Sequence, residues 1–143
     1  MRLPLAVSCV LMIAVSLIAA RRAEQTCALD ISLTDAQTGA PLAGQIKVTT
    51  ADGEVVNVHE LLSRGLGLKA GEPIQHWSVL TKSTTIALPA QLLTIEAFSG
   101  LETESTRIEV NLRDKTKHTL SIPLHRFYNA ADRGFRSANT HLH

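Results

Sequence analysis

Hydrophobic and polar residues alternate with a period of two along most of the chain after residue 27. Leu29, Ile31 and Leu33 are separated by Asp30 and Ser32, so the apolar side chains share one face of an extended segment. Similar short runs cover residues 46–49, 55–58, 77–80, 84–88, 92–98, 108–112 and 119–124. Such alternation is typical of strands with one face buried and the other in water. The pattern predicts an all-β fold, an antiparallel sandwich of about seven strands.

Turn residues between these runs predict how the strands connect. Ala51, Asp52 and Gly53 separate the run at 46–49 from the run at 55–58, which predicts a hairpin. Pro123 falls inside the last run. Because proline has no N–H group to donate to a ladder, this last strand is predicted to lie at the edge of a sheet.

Residues 59–76 interrupt the alternation. The glycines and proline at positions 65, 67, 71 and 73 disfavour one continuous element, although residues 60–64 could form a single helical turn. Long loops often carry binding residues. We therefore interpret this segment as a candidate binding surface, although it carries no chemical signature.

The first twenty residues predict a secretory signal peptide that forms an apolar helix. Arg2 gives a short positive start, residues 3–20 carry no charge, and Ala19 and Ala20 offer small residues near a cleavage point. The alternative is an uncleaved anchor, because the apolar run approaches the roughly 20 residues that span a bilayer. We expect export to the periplasm or the extracellular space.

Cysteine content and charge narrow the class of protein. Cys9 lies in the predicted leader, so the mature chain would keep Cys27 as its one thiol, without an internal disulfide. Cys27 is predicted to be half-buried at the start of the first strand, because Glu-Gln-Thr before it is a poor lipidation motif. The chain has 14 Lys and Arg against 13 Asp and Glu, and 3% aromatic residues, which argues against nucleic acid as a partner.

The composition changes after residue 126. Residues 129–134 are a polar connector, and residues 135–143 predict the beginning of a new unit. His141 and His143 would point to the same side of a strand, about 6.5–7 Å apart along the backbone, and could converge on one cation. Spacing alone leaves a chance pair or the remnant of a tag as alternatives, because zinc prefers four ligands.

The segment 134–143 resembles the opening of the catalytic domain in the PHP superfamily of metallohydrolases, named for polymerase and histidinol phosphatase. In a secreted branch of that superfamily, a β-sandwich and a connector precede an aromatic residue, a small pair, Asp or Asn, and a strand with His-x-His. The matching residues here are Phe135, Ser137, Ala138, Asn139, His141 and His143. Asn139 stands where Asp is more usual.

The resemblance implies that His141 and His143 are the first two ligands of a divalent metal site, for zinc, manganese or iron. It also implies that the remaining His, Asp and Glu ligands come from later strands of a distorted (β/α) barrel, which this sequence lacks. The chain is therefore expected to be a truncated fragment without tightly bound metal or hydrolase activity. Its first partner would be the missing catalytic domain.

The region from residue 27 to about 125 carries a second, less specific resemblance. Residues 31–35, 38–42, 46–48 and 52–53 are similar to the opening of carboxypeptidase-regulatory-like, or transthyretin-like, domains. This similarity rests on turns and alternation that many sandwiches share, so it supports the fold more than the function.

These observations predict three segments: a signal peptide at 1–20, a β-sandwich at 27–126, and a connector with the start of a PHP-type domain at 127–143. The predicted function is the accessory sandwich of an exported metal-dependent hydrolase. The alternatives are a stand-alone module that binds a cell-surface glycan or a protein, and a transthyretin-like symmetric oligomer.

Other candidate residues are interpreted as structural: Trp77 and Phe98 as core, Glu102, Glu104 and Glu109 as solvated surface, and His59, His76, His118 and His125 as ordinary surface or turn residues.

Overall fold

The computed structural model describes residues 25–136 and has an all-β fold, as the alternation predicts. Its ten strands are β1 (Thr26–Asp35), β2 (Pro41–Leu42), β3 (Gly44–Thr50), β4 (Val55–Val56), β5 (Leu62–Ser63), β6 (Ser78–Leu80), β7 (Thr84–Pro89), β8 (Leu92–Phe98), β9 (Thr106–Asn111) and β10 (Lys117–Leu124). Two short 3-10 helices cover Pro73–His76 and Ala131–Arg133. The predicted signal helix at 1–20 lies outside the described residues. Within residues 25–136, no helix is long and apolar enough to cross a membrane.

The strands form two sheets. In the first sheet, β1 is central, with β10 on one side and with β7 and β2 on the other. The second sheet has the order β5-β6-β3-β8-β9, and β4 also pairs with β3. The predicted number of about seven strands matches those of three residues or more; β2, β4 and β5 have two residues each.

One ladder departs from the predicted antiparallel arrangement. Strands β1 and β10 are parallel from Ala28 and Lys117 at one end to Asp35 and Leu124 at the other. Every other ladder among the described strands is antiparallel. Parallel pairing requires a long crossover between the two strands. Here the chain between β1 and β10 contributes the whole second sheet, so β10 returns beside β1 in the same direction.

One hydrophobic core lies between the two sheets. The first sheet contributes the buried residues Cys27, Leu29, Ile31, Leu33, Ile86, Leu88, Ile122 and Leu124, and the second contributes Ile46, Val48, Leu80, Leu93, Ile95, Ala97 and Val110. The side chain of Cys27 is fully buried, so the predicted half-burial is wrong. Cys27 occupies an inward position of β1 opposite Leu88, which places its thiol in the core.

The turn predictions are confirmed at two places. The hairpin joins β3 and β4, with Val48 opposite Val56. Gly53 has a φ of 84°, the left-handed conformation that favours glycine, and its N–H donates to the carbonyl oxygen of Thr50 at 3.0 Å. Among the strands that the structure describes, β10, which contains Pro123, pairs only with β1 and so lies at the edge of the first sheet.

The predicted helical turn at residues 60–64 is wrong. Leu62 and Ser63 form strand β5, which pairs with β6, and the N–H of Arg64 continues this pairing at 2.8 Å from the carbonyl oxygen of Trp77. Five residues give little intrinsic helical stability. The available strand β6 therefore determines their conformation.

The side chain of Gln75 closes the loop that follows β5. Its amide nitrogen donates to the carbonyl oxygens of Gly65 and Leu68, both at 3.1 Å, and its oxygen accepts the N–H of Gly71 at 3.0 Å. These three hydrogen bonds satisfy backbone N–H and C=O groups of the loop, which lie outside helices and strands and so lack the partners that regular secondary structure provides. The loop therefore has an internal polar centre.

Candidate functional site

The predicted metal ligands His141 and His143 lie outside the described residues. The structure describes the connector that leads toward them as far as Arg136. Among residues 25–136, no group of three or more His, Cys, Asp or Glu side chains is arranged to hold a metal ion. The described part of the candidate site is therefore the end of the sandwich from which the connector leaves.

Glu102 fastens the connector to the sandwich. Its carboxylate accepts a hydrogen bond from the Arg126 guanidinium at 2.6 Å and from the backbone N–H of Ala130 at 3.2 Å. Its carbonyl oxygen accepts the N–H of Phe127 at 3.0 Å, and the neighbouring Thr103 forms an isolated bridge with Arg126. Glu102 is half-buried, so the prediction of a solvated surface residue is wrong for it; Glu104 and Glu109 are exposed as predicted.

Asp35 holds the other side of Arg126. One carboxylate oxygen accepts the backbone N–H groups of Gln37 at 2.9 Å and Thr38 at 3.0 Å, and the other lies 3.5 Å from Nε of Arg126. The hydrogen bond from the Thr38 backbone, then that from Gln37, lower the pKa of Asp35, and Arg126 lowers it further against the opposing effect of burial. Asp35 is therefore held ionised at the end of β1.

We call Asp35, Glu102 and Arg126 the connector clamp. Beside it lies a polar depression of about 270 Å³, lined in part by Tyr128 and Asp132. The guanidinium of Arg126 already pairs with two carboxylates, so the clamp is suited to holding the chain in place and not to acid–base chemistry. Sequence reasoning missed Asp35 and Arg126. The sequence did carry a signal for Asp35: an Asp at the end of a strand, just before turn residues, often accepts hydrogen bonds from the backbone N–H groups of the turn.

Two of the scattered histidines line a second depression, of about 420 Å³. Strands β4 and β6 pair with the same edge of β3, and the gap between them opens this groove. His59 and His76 line it together with Leu61, Gln75 and Ser78. The groove is therefore lined by both apolar and polar side chains, most of them on the loop that was predicted as a candidate binding surface.

Trp77 and Phe98 lie on the outer face of the second sheet, so the prediction that they fill the core is wrong. Their rings pack edge to face with centroids 4.9 Å apart, and Nζ of Lys47 lies 5.2 Å from the Trp77 ring centroid. Lys47 also pairs with Glu96 at 2.8 Å. The period of two explains the placement: in β8 the inward positions are 93, 95 and 97, which turns residue 98 outward.

Together these features define the described chain as a two-sheet β protein with a fastened connector, an open groove and an outer aromatic pair. Comparison with protein-family models, with curated proteins and with solved structures finds no match.

Proposed function

We propose that the chain is the accessory β-sandwich of an exported, PHP-type metal-dependent hydrolase, and that His141 and His143 are the first ligands of its metal site. The observation that carries this proposal is the connector clamp. A connector that only trailed from an independent module would need no hydrogen bonds to the sandwich. Here Phe127 and Ala130 of the connector each donate a backbone N–H to Glu102, which Arg126 holds by an ion pair at the end of the sandwich, so the connector leaves the sandwich along one path.

The surface around the clamp also supports the proposal. Phe127 and Phe135 are 64% and 63% exposed, and Leu101, next to Glu102, is 94% exposed. Large apolar side chains grouped along a connector are costly to leave in water and suit contact with a following domain. On this proposal the sandwich and the catalytic domain pack together, and the clamp sets their relative orientation.

Zinc titration of the exported chain tests the ligand assignment. We expect weak binding of zinc, seen by NMR as shifts of the histidine ring signals, that is lost in His141→Ala and in His143→Ala. The matched controls are His59→Ala and His76→Ala, which remove the two histidines of the groove. Zinc binding that survives the first pair of variants and disappears in the second would contradict the assignment.

The same protein should not hydrolyse a generic phosphoester in the presence of divalent metal, because two histidines do not organise a metal and an attacking water. Turnover that His141→Ala abolishes would contradict this expectation.

The nucleotide sequence of the gene tests whether a longer parent enzyme exists. The reading frame after the codon for His143 should encode further strands with His, Asp and Glu. A stop codon at that point would favour the alternative function.

That alternative is a module that binds a glycan through the outer face of the second sheet. The observation that favours it is the half-buried Trp77–Phe98 pair beside the charged pair Lys47–Glu96, since an aromatic ring flanked by hydrogen-bonding groups suits a sugar. Trp77 is the chain's one tryptophan, so its fluorescence reports on this face alone. Saturable changes in emission on addition of one polysaccharide of a panel, weakened in Phe98→Leu, would support it. Unchanged emission across the panel would contradict it.

A further inference from the structure

Three large apolar side chains protrude from the loop that follows β5. Leu66 and Leu68 are 77% and 53% exposed, and Ile74 is exposed as well. The loop is ordered from within, because the side chain of Gln75 bonds its backbone at three points. Aliphatic side chains that a fixed loop holds in water are unfavourable, and a group of them indicates a contact surface.

The loop lies toward the end of the sandwich at which the chain enters. Strand β5 leads into the loop in the direction in which β3 runs toward Thr50, because both strands are antiparallel to β6. The carbonyl oxygen of Gln25 accepts the N–H of Ala90 at 2.6 Å, just before β8 begins. Leu93 of β8 lies opposite Thr50. We call this end, which holds Gln25, Thr50 and the loop, the entry end.

The connector leaves the sandwich from the opposite end. The hydroxyl of Ser99 donates to the carbonyl oxygen of Ala43 at 2.6 Å, just before β3 begins. Glu102, three residues after Ser99, accepts the N–H of Ala130 and so holds the connector there. A domain that follows the connector therefore starts away from the loop, and the exposed leucines face a different neighbour.

The segment before Gln25 indicates what that neighbour is. Residues 3–20 carry no charge and are mostly apolar, and their number approaches the roughly 20 residues that span a bilayer. Only residues 21–24 separate this run from Gln25, and four extended residues reach about 14 Å at most. If the run stays in a bilayer, this short tether holds the entry end against the bilayer surface.

The charges of the loop suit a lipid surface that contains anionic headgroups. Arg64 and Lys69 are exposed, against the one exposed acid Glu72 between residues 64 and 76. Arginine and lysine have long apolar stems, so they can keep their charges among the headgroups while neighbouring leucines reach the acyl boundary. The loop therefore combines the two kinds of side chain that an interfacial contact requires.

The turn between β9 and β10 adds positive charge at the same end. The N–H of Leu112 donates to the carbonyl oxygen of Gln91 at 2.9 Å, which places this turn beside the start of β8. The turn β3–β4 offsets part of the charge. The cations of the first turn are Arg113, Lys115 and Lys117, its acid is Asp114, and the acids of the second turn are Asp52 and Glu54. The leucines and the tether therefore carry the contact, and anionic lipid strengthens it.

We propose that the entry end of the sandwich docks on a lipid bilayer in which residues 3–20 remain as an uncleaved anchor, with Leu66 and Leu68 inserted at the headgroup boundary. The connector then points away from the bilayer. The inference adopts the second interpretation of residues 1–20. It is independent of the proposed function, because an anchored sandwich is exported as well and the metal site takes no part in the contact.

Fluorescence quenching by brominated lipids tests the contact. The full chain is reconstituted in vesicles of phosphatidylcholine and phosphatidylglycerol, with Trp77→Phe as background because Trp77 is the one tryptophan of the chain. Leu68→Trp should lose most of its emission when the acyl chains are brominated. Leu101→Trp is the matched control, because it makes the same change at an exposed leucine of the connector end. Its emission should stay unchanged.

A charge added to the loop separates docking from mere closeness to the bilayer. Leu66→Asp, combined with Leu68→Trp, should restore the emission, because an ionised carboxylate is costly to bury in the acyl boundary. Leu101→Asp in place of Leu66→Asp should leave the quenching unchanged. Circular dichroism checks that each variant is folded, which the exposure of the substituted leucines favours.

Four results would overturn the proposal. The first is a full chain that does not float with the vesicles in a density gradient. The second is a Leu68→Trp chain that keeps its emission, or that is quenched no more than Leu101→Trp. The third is quenching that Leu66→Asp does not change. The fourth is an exported protein that begins after residue 20 by mass spectrometry, since the anchor would then have been removed.

Discussion

The close approach between the start of β3 and the end of β8 can be tested by replacing Gly44 with Ala. Gly44 is the first residue of β3 and lies opposite Leu80. A Cβ atom added here would clash with the carbonyl oxygen of Phe98 and would lie 2.6 Å from Cδ1 of Leu33. The leucine can change rotamer, but the carbonyl belongs to the ladder in which Gln45 pairs with Phe98. The added methyl therefore requires the backbone of two paired strands to separate.

The size of the effect follows from this geometry. Overpacking a tight site costs about 1–3 kcal/mol, and the upper end applies where backbone must move. We expect Gly44→Ala to lower the free energy of unfolding by roughly 3 kcal/mol, and the thermal midpoint by an amount on the order of 10 °C for a domain of this size. Urea unfolding followed by the fluorescence of Trp77 measures the first quantity, and calorimetry measures the second.

Gly39→Ala is the control, because it separates steric overlap from backbone strain. Gly39 has a φ of 70° and no atom within 4 Å of the added Cβ, so Ala there should cost only about 1–2 kcal/mol for the left-handed conformation. Gly39→Asn should recover part of that loss, because Asn tolerates this conformation. The reasoning is refuted if the free energy of unfolding of Gly44→Ala lies within about 0.5 kcal/mol of the wild-type value, which is the usual range for surface substitutions. The close approach would then not limit stability.

Three further outcomes are expected. Hydrogen bonds lower the pKa of Asp35 in the fold, so its stabilising effect is present above the unfolded pKa of about 3.9 and is lost as the pH falls through the lower folded value. Urea unfolding should therefore show the wild type more stable than Asp35→Asn near neutral pH and equal to it in strong acid; a constant difference would contradict this. Glu102→Ala removes the acceptor of the Ala130 N–H, so hydrogen exchange at that amide should accelerate while exchange in the core stays unchanged. Cys27 is fully buried, so a thiol reagent should modify it only at the rate of unfolding; rapid labelling of the native protein would contradict its position in the core.

The strands were predictable because their periodicity is local. The run at residues 92–98 coincides with β8, and the turn before Glu54 forms the predicted hairpin, since a positive φ at Gly53 is a property of a few adjacent residues. Pairing over long sequence distances carries no such signal. The parallel ladder of β1 and β10 joins residues that are far apart in sequence, and β5 exists only because β6 lies beside it.

The candidate site was less predictable for the same physical reason. Glu102 looks like any exposed acid in the sequence, and its role depends on Arg126 and Ala130, which tertiary structure brings to it. Trp77 and Phe98 lie outside the core for another reason. Their size suggested the core, but the parity of the strand decides which face a side chain occupies, and a single residue reverses it.

The parallel ladder of β1 and β10 has a mechanical consequence. A tension applied through the residue before Thr26 and the residue after Leu124 pulls the two strands along their length in opposite directions. Eight facing residue pairs, from Ala28–Lys117 to Asp35–Leu124, then bear the load together in shear, whereas a hairpin pulled at its open end unzips one pair at a time. The chain enters and leaves the sandwich at opposite ends of this ladder, so tension along the chain loads all eight pairs at once.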